Sequence, residues 1–312
     1  MQRPTAPFPL EQAPEEIRRT MAAIGPVWGV NTRKHVEMTV AAYTPHLARS
    51  PKDGVRVTRD VPYGAHLRQV LDVFRPAAAP FGGARAAPVM IFVHGGAFVR
   101  GDKRVSEEIY DNVLYYFARN GFLGLNAEYR LAPEARFPDG ARDVAAAVAW
   151  AERHAAEHGG DPSRIYVFGH SAGGTHVATF AFDRGAVPER PQAVAGVILA
   201  SARVRADVLP DNPNADAVRA YFGDDASLYH QRSPVTHAAD PDLPVMIVVA
   251  EYENPYLDVY GAELLHRLSG ARRRAPRFVR LTRHNHISLV AHFNTEEEIL
   301  GREILDFVAR GS

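Results

Sequence analysis

Apolar residues along the chain form short runs that alternate with segments of helical periodicity. Runs rich in apolar and β-branched residues, bounded by Gly or Pro, predict buried strands, whereas apolar residues spaced three and four apart predict helices. The runs predict strands at 55–63, 68–76, 88–96, 121–129, 164–170, 194–202, 243–251 and 276–284. Helical patterns follow at 106–121, 139–160, 172–185, 257–270 and 295–310. Because the two patterns alternate, we expect an α/β fold whose eight-stranded, mostly parallel sheet has helices on both faces.

The first two predicted strands are joined by a short turn with Gly64 and no helix, so the second strand should run antiparallel.

Two stretches interrupt the alternation of strands and helices. Residues 1–54 carry helical pieces and predict an N-terminal cap, ahead of a catalytic domain at 55–312. The polar, proline-bearing segment 203–241, after the sixth strand, predicts a lid insertion, and 76–88 predicts a surface linker.

Composition narrows the classes of function. Lys plus Arg and Asp plus Glu both number 36, so no net charge favours nucleic acid or an anionic membrane. The absence of cysteine excludes thiolate metal sites and a cysteine nucleophile. Charges and prolines interrupt the first residues, and no window is apolar enough for a membrane span. We therefore expect a soluble cytoplasmic protein without integral membrane association.

Gly169-His170-Ser171-Ala172-Gly173 matches the pattern G-x-S-x-G between a predicted strand and a predicted helix. In this context the glycines permit a strained turn that exposes the serine hydroxyl above the sheet, so Ser171 is the candidate nucleophile. An incidental serine in a tight turn is the simpler alternative. The following helix also aims its first N–H groups at this position.

His94-Gly95-Gly96 ends the third predicted strand. Consecutive glycines let the backbone approach a ligand and direct N–H groups at a developing oxyanion. We expect the N–H groups of Gly95, Gly96 and Ala172 to form this oxyanion hole, with His94 in a supporting role.

A serine nucleophile needs a base and an acid that orients the base. His286 lies just beyond the last predicted strand and is the expected base, whereas His284 lies nearer the strand and is the weaker candidate. A metal site of the nuclease type is the alternative for this His-Asn-His string. The acid should follow the preceding strand, where Glu251, Glu253 and Asp258 compete. Glu253 is favoured, because Asp258 also suits the first turn of the next helix.

Together, these features resemble the α/β-hydrolase superfamily, in particular carboxylesterases of the hormone-sensitive-lipase type and arylformamidase-like (BD-FAE-like) esterases. The resemblance covers residues 55–310 and rests on HGGAF (94–98), EYRLAPEARFPDGARDV (128–144), GGDPSRIYVFGHSAGG (159–174) and HNHIS (284–288), in that order. It implies a serine hydrolase that needs no metal or organic cofactor.

Two departures from the family pattern affect the site. Ala97 stands where lipase-type members have a third glycine, so Ala97 is an alternative member of the oxyanion hole. The family's acid is commonly aspartate, so Glu253 is a variation and Asp258 stays open.

The resemblance implies cleavage of small-molecule carboxylic esters of short acyl chain through an acyl-enzyme. Arylformamidase or amidase activity, or a non-catalytic ligand-binding role, are the alternatives. Bulky residues are expected to wall the pocket and limit the acyl chain, and a homodimer without nucleic-acid partners is expected. The expected substrate-binding residues are Phe98, His170, Tyr221 and Phe222, and Trp28 and Tyr229 are further wall residues.

Overall fold

The computed structural model describes residues 10–77, 86–191, 194–239 and 242–310. Parts of the predicted cap, linker, lid insertion and C-terminal end therefore lie outside the described residues, at 1–9, 78–85, 240–241 and 311–312. The strands are β1 (Val55–Pro62), β2 (Val70–Pro76), β3 (Ala87–Val93), β4 (Leu123–Ala127), β5 (Gly160–His170), β6 (Val194–Ala200), β7 (Val245–Tyr252) and β8 (Arg277–Asn285).

These strands form one eight-stranded sheet in the order β1-β2-β4-β3-β5-β6-β7-β8. β2 runs antiparallel to both of its neighbours, β1 and β4, and all other neighbouring pairs are parallel. The predicted fold class, with an antiparallel second strand, is confirmed. The strand order also brings the C-terminal ends of β3, β5, β6, β7 and β8 to one edge, where ligands bind in open α/β sheets.

Helices cover both faces of the sheet. Those in the described residues are α1 (Glu15–Ile24), α2 (Thr32–Ala48), α3 (Asp111–Arg119), α4 (Asp139–His154), α5 (Ala172–Phe182), α6 (Ala215–Phe222), α7 (Tyr229–Arg232), α8 (Leu257–Arg272), α9 (Ser288–Ala291) and α10 (Ile299–Arg310). Two predicted helix starts are wrong. The helix expected from 106 begins at Asp111, and the one expected from 295 begins at Ile299.

Side chains of the central strands alternate between two apolar layers. In β3, Val89, Ile91 and Val93 pack with α4, α5 and α8 on one face, while Met90 and Phe92 pack with α3 and α10 on the other. All seven residues of β3 are buried. This explains why its sequence is continuously apolar, as expected for a strand covered on both faces.

The N-terminal helices pack beside β7 and β8 at the edge where the strands end. Ile17 and Met21 of α1 belong to the same apolar layer as Phe92. Residues 25–30 form a 3-10 helix, and the indole Nε1 of Trp28 donates a hydrogen bond of 2.9 Å to Asn254 Oδ1. Because Asn254 follows Glu253 in the chain, the N-terminal segment supports the loop that carries the expected acid.

Candidate active site

Ser171 occupies the sharp turn between β5 and α5. Its backbone has φ 54° and ψ −121°, a conformation that costs energy for any residue except glycine. A Cβ on Gly173 would lie 2.2 Å from the carbonyl oxygen of Val93, so only glycine lets α5 pack this closely against β3. All residues of α5 are buried, whereas Ser171 is partly exposed. The turn therefore presents the serine hydroxyl at the sheet edge.

Three side chains meet at this turn in a continuous line of hydrogen bonds. Nε2 of His286 lies 3.0 Å from Ser171 Oγ, and Nδ1 of His286 lies 2.8 Å from Glu253 Oε2. The side chains of His286 and Glu253 are 6% and 3% exposed. The ring is thus held between the hydroxyl and a buried carboxylate, an arrangement that suits proton transfer from the serine.

The structure separates the competing carboxylates. Asp258 is exposed at the start of α8, where its Oδ1 accepts a hydrogen bond of 2.9 Å from the N–H of Val259. Glu251 accepts a hydrogen bond from the N–H of Arg283. Only Glu253, of these three, reaches His286, and its Oε1 also accepts hydrogen bonds from the Ser201 hydroxyl and the N–H of Ala250.

The glycine loop after β3 is held by His94. Nδ1 of His94 lies 2.7 Å from the carbonyl oxygen of Gly95, and Nε2 lies 2.8 Å from Glu128 Oε1. The His94 ring also stacks on Tyr129, with ring centroids 4.3 Å apart. His94 thus has the supporting role expected from the sequence. Because the peptide bond is trans, the N–H of Gly96 points away from the His94 ring.

Several solved structures of proteins named esterases resemble this structure. The structure matches "Bacterial Heroin Esterase" with a TM-score of 0.68 and 24% identity, covering 94% of this chain and 97% of that one. It also matches Esterase B from Lactobacillus rhamnosis (TM-score 0.70, 18% identity, 95% and 96% coverage). A hyperthermophilic esterase from Pyrobaculum calidifontis matches with a TM-score of 0.67 and 22% identity, covering 97% and 98%.

The chain has the α/β-hydrolase fold. Residues 71–187 also match the BD-FAE family model. Esterase LipC of Mycobacterium tuberculosis (strain ATCC 25618 / H37Rv) is 41% identical over 123 residues, which are 39% of this chain and 29% of that protein. The probable carboxylic ester hydrolase LipM of the same strain is 34% identical over 150 residues, 48% of this chain and 33% of that protein. The chain thus spans about a third of the length of these curated relatives. The expected resemblance is confirmed.

One of the predicted oxyanion donors, the N–H of Gly95, has a partner inside the protein. The N–H of Gly95 lies 3.3 Å from the hydroxyl oxygen of Tyr110 and donates to it. This donor is therefore engaged inside the protein. In the described part of the chain, no hydrogen bond is found for the N–H groups of Gly96 and Ala97. The loop thus offers Gly96 and Ala97, in place of Gly95, beside the N–H of Ala172 at the start of α5.

Three of the predicted substrate-binding residues are buried. Phe98, Tyr221 and Phe222 are at most 2% exposed. The rings of Phe98 and Tyr221 stack at 4.8 Å, and Phe222 meets Phe98 edge-on at 5.5 Å. This cluster packs against Ala172 and joins α6 to the glycine loop. These three side chains thus pack against one another, and their direct contact with substrate stays a prediction from the sequence.

His170, the fourth predicted substrate contact, is 1% exposed and both of its ring nitrogens are bonded within the protein. Trp28 and Tyr229, the further wall residues, are also buried, and the Tyr229 hydroxyl donates to the carbonyl oxygen of Gly223. The weaker base candidate, His284, bonds Ser288 and Glu297 and faces away from Ser171.

Sequence reasoning missed two residues of the site. Ser201 directly follows β6 and bonds Glu253, and a polar residue at the end of a buried parallel strand is a signal that could have found it. Tyr110 lies in a segment that resembles the start of an ordinary amphipathic helix. Its bonds to Gly95 and His170 join three segments far apart in sequence, so no local signal was present.

Within the described ranges, no group of three or more His, Asp or Glu side chains is arranged to hold a metal ion. None of the described helices combines the length and the apolar composition that crossing a bilayer requires.

Proposed function

We propose that this chain is a serine carboxylesterase that cleaves small-molecule esters of short acyl chain through an acyl-enzyme. The observation that carries the proposal is the line from Ser171 Oγ to His286 Nε2 (3.0 Å) and from His286 Nδ1 to Glu253 Oε2 (2.8 Å). The names of the curated relatives, which are esterases and a probable carboxylic ester hydrolase, support the same reaction.

In the proposed reaction, Ser171 Oγ attacks the ester carbonyl carbon while His286 Nε2 takes the hydroxyl proton. The tetrahedral intermediate then expels the alcohol, which receives that proton from His286. Water attacks the acyl-serine in the same way, with His286 again accepting and returning the proton. Glu253 orients the ring through Nδ1 and stabilises the imidazolium that forms in each half of the cycle.

We assign the oxyanion hole to the N–H groups of Gly96, Ala97 and Ala172. Two observations support this assignment: Gly95 donates to Tyr110, and His94 binds the carbonyl oxygen of Gly95. These donors belong to the backbone of a braced loop and a helix start, so they need little reorganisation as charge develops.

We also propose that the buried cluster of Phe98, Tyr221 and Phe222 limits the acyl chain. The cluster packs against Ala172, next to the nucleophile, and thus occupies space behind the site. This cluster and the packing of α1 and α2 against the sheet support the proposal that the N-terminal segment and 203–241 act as cap elements on the catalytic domain at 55–312.

Hydrolysis of p-nitrophenyl esters from acetate to octanoate tests the proposal. Wild-type protein should favour acetate and butyrate, and Ser171→Ala should lose activity by several orders of magnitude. Ser163→Ala, at an exposed serine far from the site, is the matched control and should keep it. Comparable rates for wild type and Ser171→Ala would refute the proposal.

Two additions to the experiment separate the alternatives. N-formylkynurenine and aryl amides in the same panel measure formamidase and amidase activity, for which the structure offers no specific support. A fluorophosphonate probe should label Ser171. Absence of an adduct would favour a non-catalytic ligand-binding role.

Cytoplasmic location and a homodimer stay predictions from the sequence. Cell fractionation tests the first, and light scattering after size exclusion tests the second.

A further inference from the structure

A buried series of hydrogen bonds connects the glycine loop to the segment that carries His286. The N–H of Gly95 lies 3.3 Å from Tyr110 Oη, and Tyr110 Oη lies 3.2 Å from His170 Nδ1. His170 Nε2 then lies 2.9 Å from the carbonyl oxygen of His286. Tyr110 is 3% and His170 1% exposed, so water competes little for these groups. We call these three bonds the Tyr110–His170 bridge.

Chemistry determines the direction of each bond in the bridge. The carbonyl oxygen of His286 only accepts, so His170 Nε2 must carry a hydrogen. Burial, and next the neighbouring His286, lower the pKa of His170 well below its ordinary value, so the ring is neutral and has one hydrogen. Nδ1 must then accept the hydrogen of the Tyr110 hydroxyl. The Tyr110 oxygen is left to accept from the N–H of Gly95.

We propose that Tyr110 and His170 are positioning residues, and that their bridge holds the glycine loop and His286 in register with Ser171. The bridge also locks His170 in the tautomer that has its hydrogen on Nε2. The catalytic consequence rests on the proposed function, whereas the tautomer does not. This role replaces the predicted substrate contact of His170.

Close packing around Ser171 explains why the register matters. A Cβ on Gly95 would lie 3.0 Å from Ser171 Cβ, 3.1 Å from Tyr110 Oη and 3.2 Å from His170 Nδ1. The rings of His170 and His286 are 4.9 Å apart, centre to centre. A displacement of the reacting groups by about 1 Å can reduce a rate by about 100-fold. Small movements of the loop or of His286 should therefore be costly.

Removal of the Tyr110 hydroxyl would affect both ends of the bridge. The N–H of Gly95 and His170 Nδ1 would each lose a buried partner, which is unfavourable. Nε2 would still donate to the carbonyl oxygen of His286, but the Tyr110 hydroxyl would no longer fix the position of the His170 ring. The glycine loop and the loop that carries the base would then be free to shift relative to each other.

Tyr110→Phe tests the bridge, with Tyr166→Phe as the matched control. The Tyr166 hydroxyl also donates to a buried carbonyl oxygen, that of Val308, at 3.2 Å, but Tyr166 lies away from Ser171. We expect kcat for a short nitrophenyl ester to fall about 10- to 100-fold in Tyr110→Phe, with KM nearly unchanged. Tyr166→Phe should keep the wild-type kcat.

Nitrogen-15 NMR of the histidine rings gives a readout that a merely structural role would not change. In wild-type protein His170, assigned by comparison with His170→Asn, should be neutral with its hydrogen on Nε2. In Tyr110→Phe the hydrogen should stay on Nε2, and the Nδ1 resonance should move to the position of a ring nitrogen that accepts no hydrogen bond.

Each outcome decides the inference. A charged His170, or one with its hydrogen on Nδ1, in wild-type protein would overturn it even if the variants fail to fold. A folded Tyr110→Phe with wild-type kcat would also overturn it. If wild-type protein hydrolyses no ester, the proposed function fails, but the tautomer still tests the bridge.

Discussion

The hydroxyl of Ser201 donates a hydrogen bond to Glu253 Oε1. The same oxygen accepts from the N–H of Ala250 at 2.9 Å, while Oε2 accepts from His286 Nδ1 at 2.8 Å. Ser201 is fully buried, and its own N–H donates to the carbonyl oxygen of Val248 at 2.8 Å. Both oxygens of the carboxylate are therefore held, and Oε2 stays aimed at the base.

Ser201→Ala should weaken this support without removing it. The Ala250 N–H still holds the carboxylate, so we expect kcat/KM to fall by about tenfold, or ~1.4 kcal/mol. Ser233→Ala is the control, because Ser233 is equally buried but its hydroxyl bonds only the backbone of Tyr229 and Ala206. It should lower stability and keep kcat/KM. Unchanged kcat/KM in Ser201→Ala would show that the bond does not serve the site.

Glu253→Gln and Asp258→Asn, compared side by side, test which carboxylate orients the base. A glutamine at 253 can turn an NH2 group toward His286 Nδ1, which favours the wrong tautomer. We expect kcat to fall by about four orders of magnitude. Asp258 is exposed and bonds only the start of its own helix, so Asp258→Asn should change kcat little. The reverse pattern of kcat values would assign the role to Asp258.

The sheet was predictable because its signal is local. β3 is buried on both faces, and its apolar run identifies it without knowledge of its neighbours. The start of α3 was not predictable in this way. The Ser106 hydroxyl accepts hydrogen bonds from the N–H groups of Glu108 and Ile109, which makes a turn, and Tyr110 has a left-handed φ of 82°. The helix therefore begins only after Tyr110, whose ring turns toward Gly95 and His170.

The candidate site also contains residues with a local sequence signal and residues without one. Ser171 and His286 stand in short motifs at strand ends, and the structure brings them together. The choice between Glu253 and Asp258 depends on the path of the backbone after β7, which residue types alone do not specify. The packing of Phe98 could not be predicted, because an aromatic side chain suits a pocket wall and a buried stack equally well. The structure shows that it stacks on Tyr221.

Gly96→Ala should damage the oxyanion hole. Gly96 has φ +146°, and a Cβ there would lie 1.8 Å from the carbonyl oxygen of Arg100, so the loop would have to move. Loss of one oxyanion donor typically costs about 100- to 1,000-fold in kcat, and we expect a loss in this range.

Gly54→Ala is the matched control for Gly96→Ala. Gly54 also has a positive φ, +75°, but a Cβ there would meet no atom within 4 Å. It should lower stability by about 1–3 kcal/mol and leave kcat unchanged. Equal kcat in Gly96→Ala and Gly54→Ala would contradict a role of the loop in catalysis.

His176 of α5 should make the protein sensitive to acid. The ring is buried against Tyr129 and Tyr221, with ring centroids 4.7 and 5.0 Å away. Within the described residues neither of its nitrogens has a hydrogen-bond partner. Burial, and next the charge of His94, lower the pKa of His176 to about 3. In the unfolded chain a histidine has a pKa of about 6.5.

Between these two pKa values the unfolded state binds one more proton at His176 than the folded state does. The free energy of unfolding should therefore fall as the pH is lowered from about 6.5 toward 3, by up to ~1.4 kcal/mol per pH unit from this residue. His176→Leu removes the titrating ring and keeps an apolar side chain. We expect the pH dependence of stability to become flatter by about this amount.

Urea unfolding at about pH 7, 6 and 5 measures this slope. Thr179→Val is the control: Thr179 is equally buried in the same helix but does not titrate, so its replacement should shift stability equally at each pH. If His176→Leu and wild type lose stability in parallel on acidification, the buried ring is not the source of the slope. Other groups with a lowered pKa would then supply the acid sensitivity, among them His292, whose pKa burial lowers to about 4.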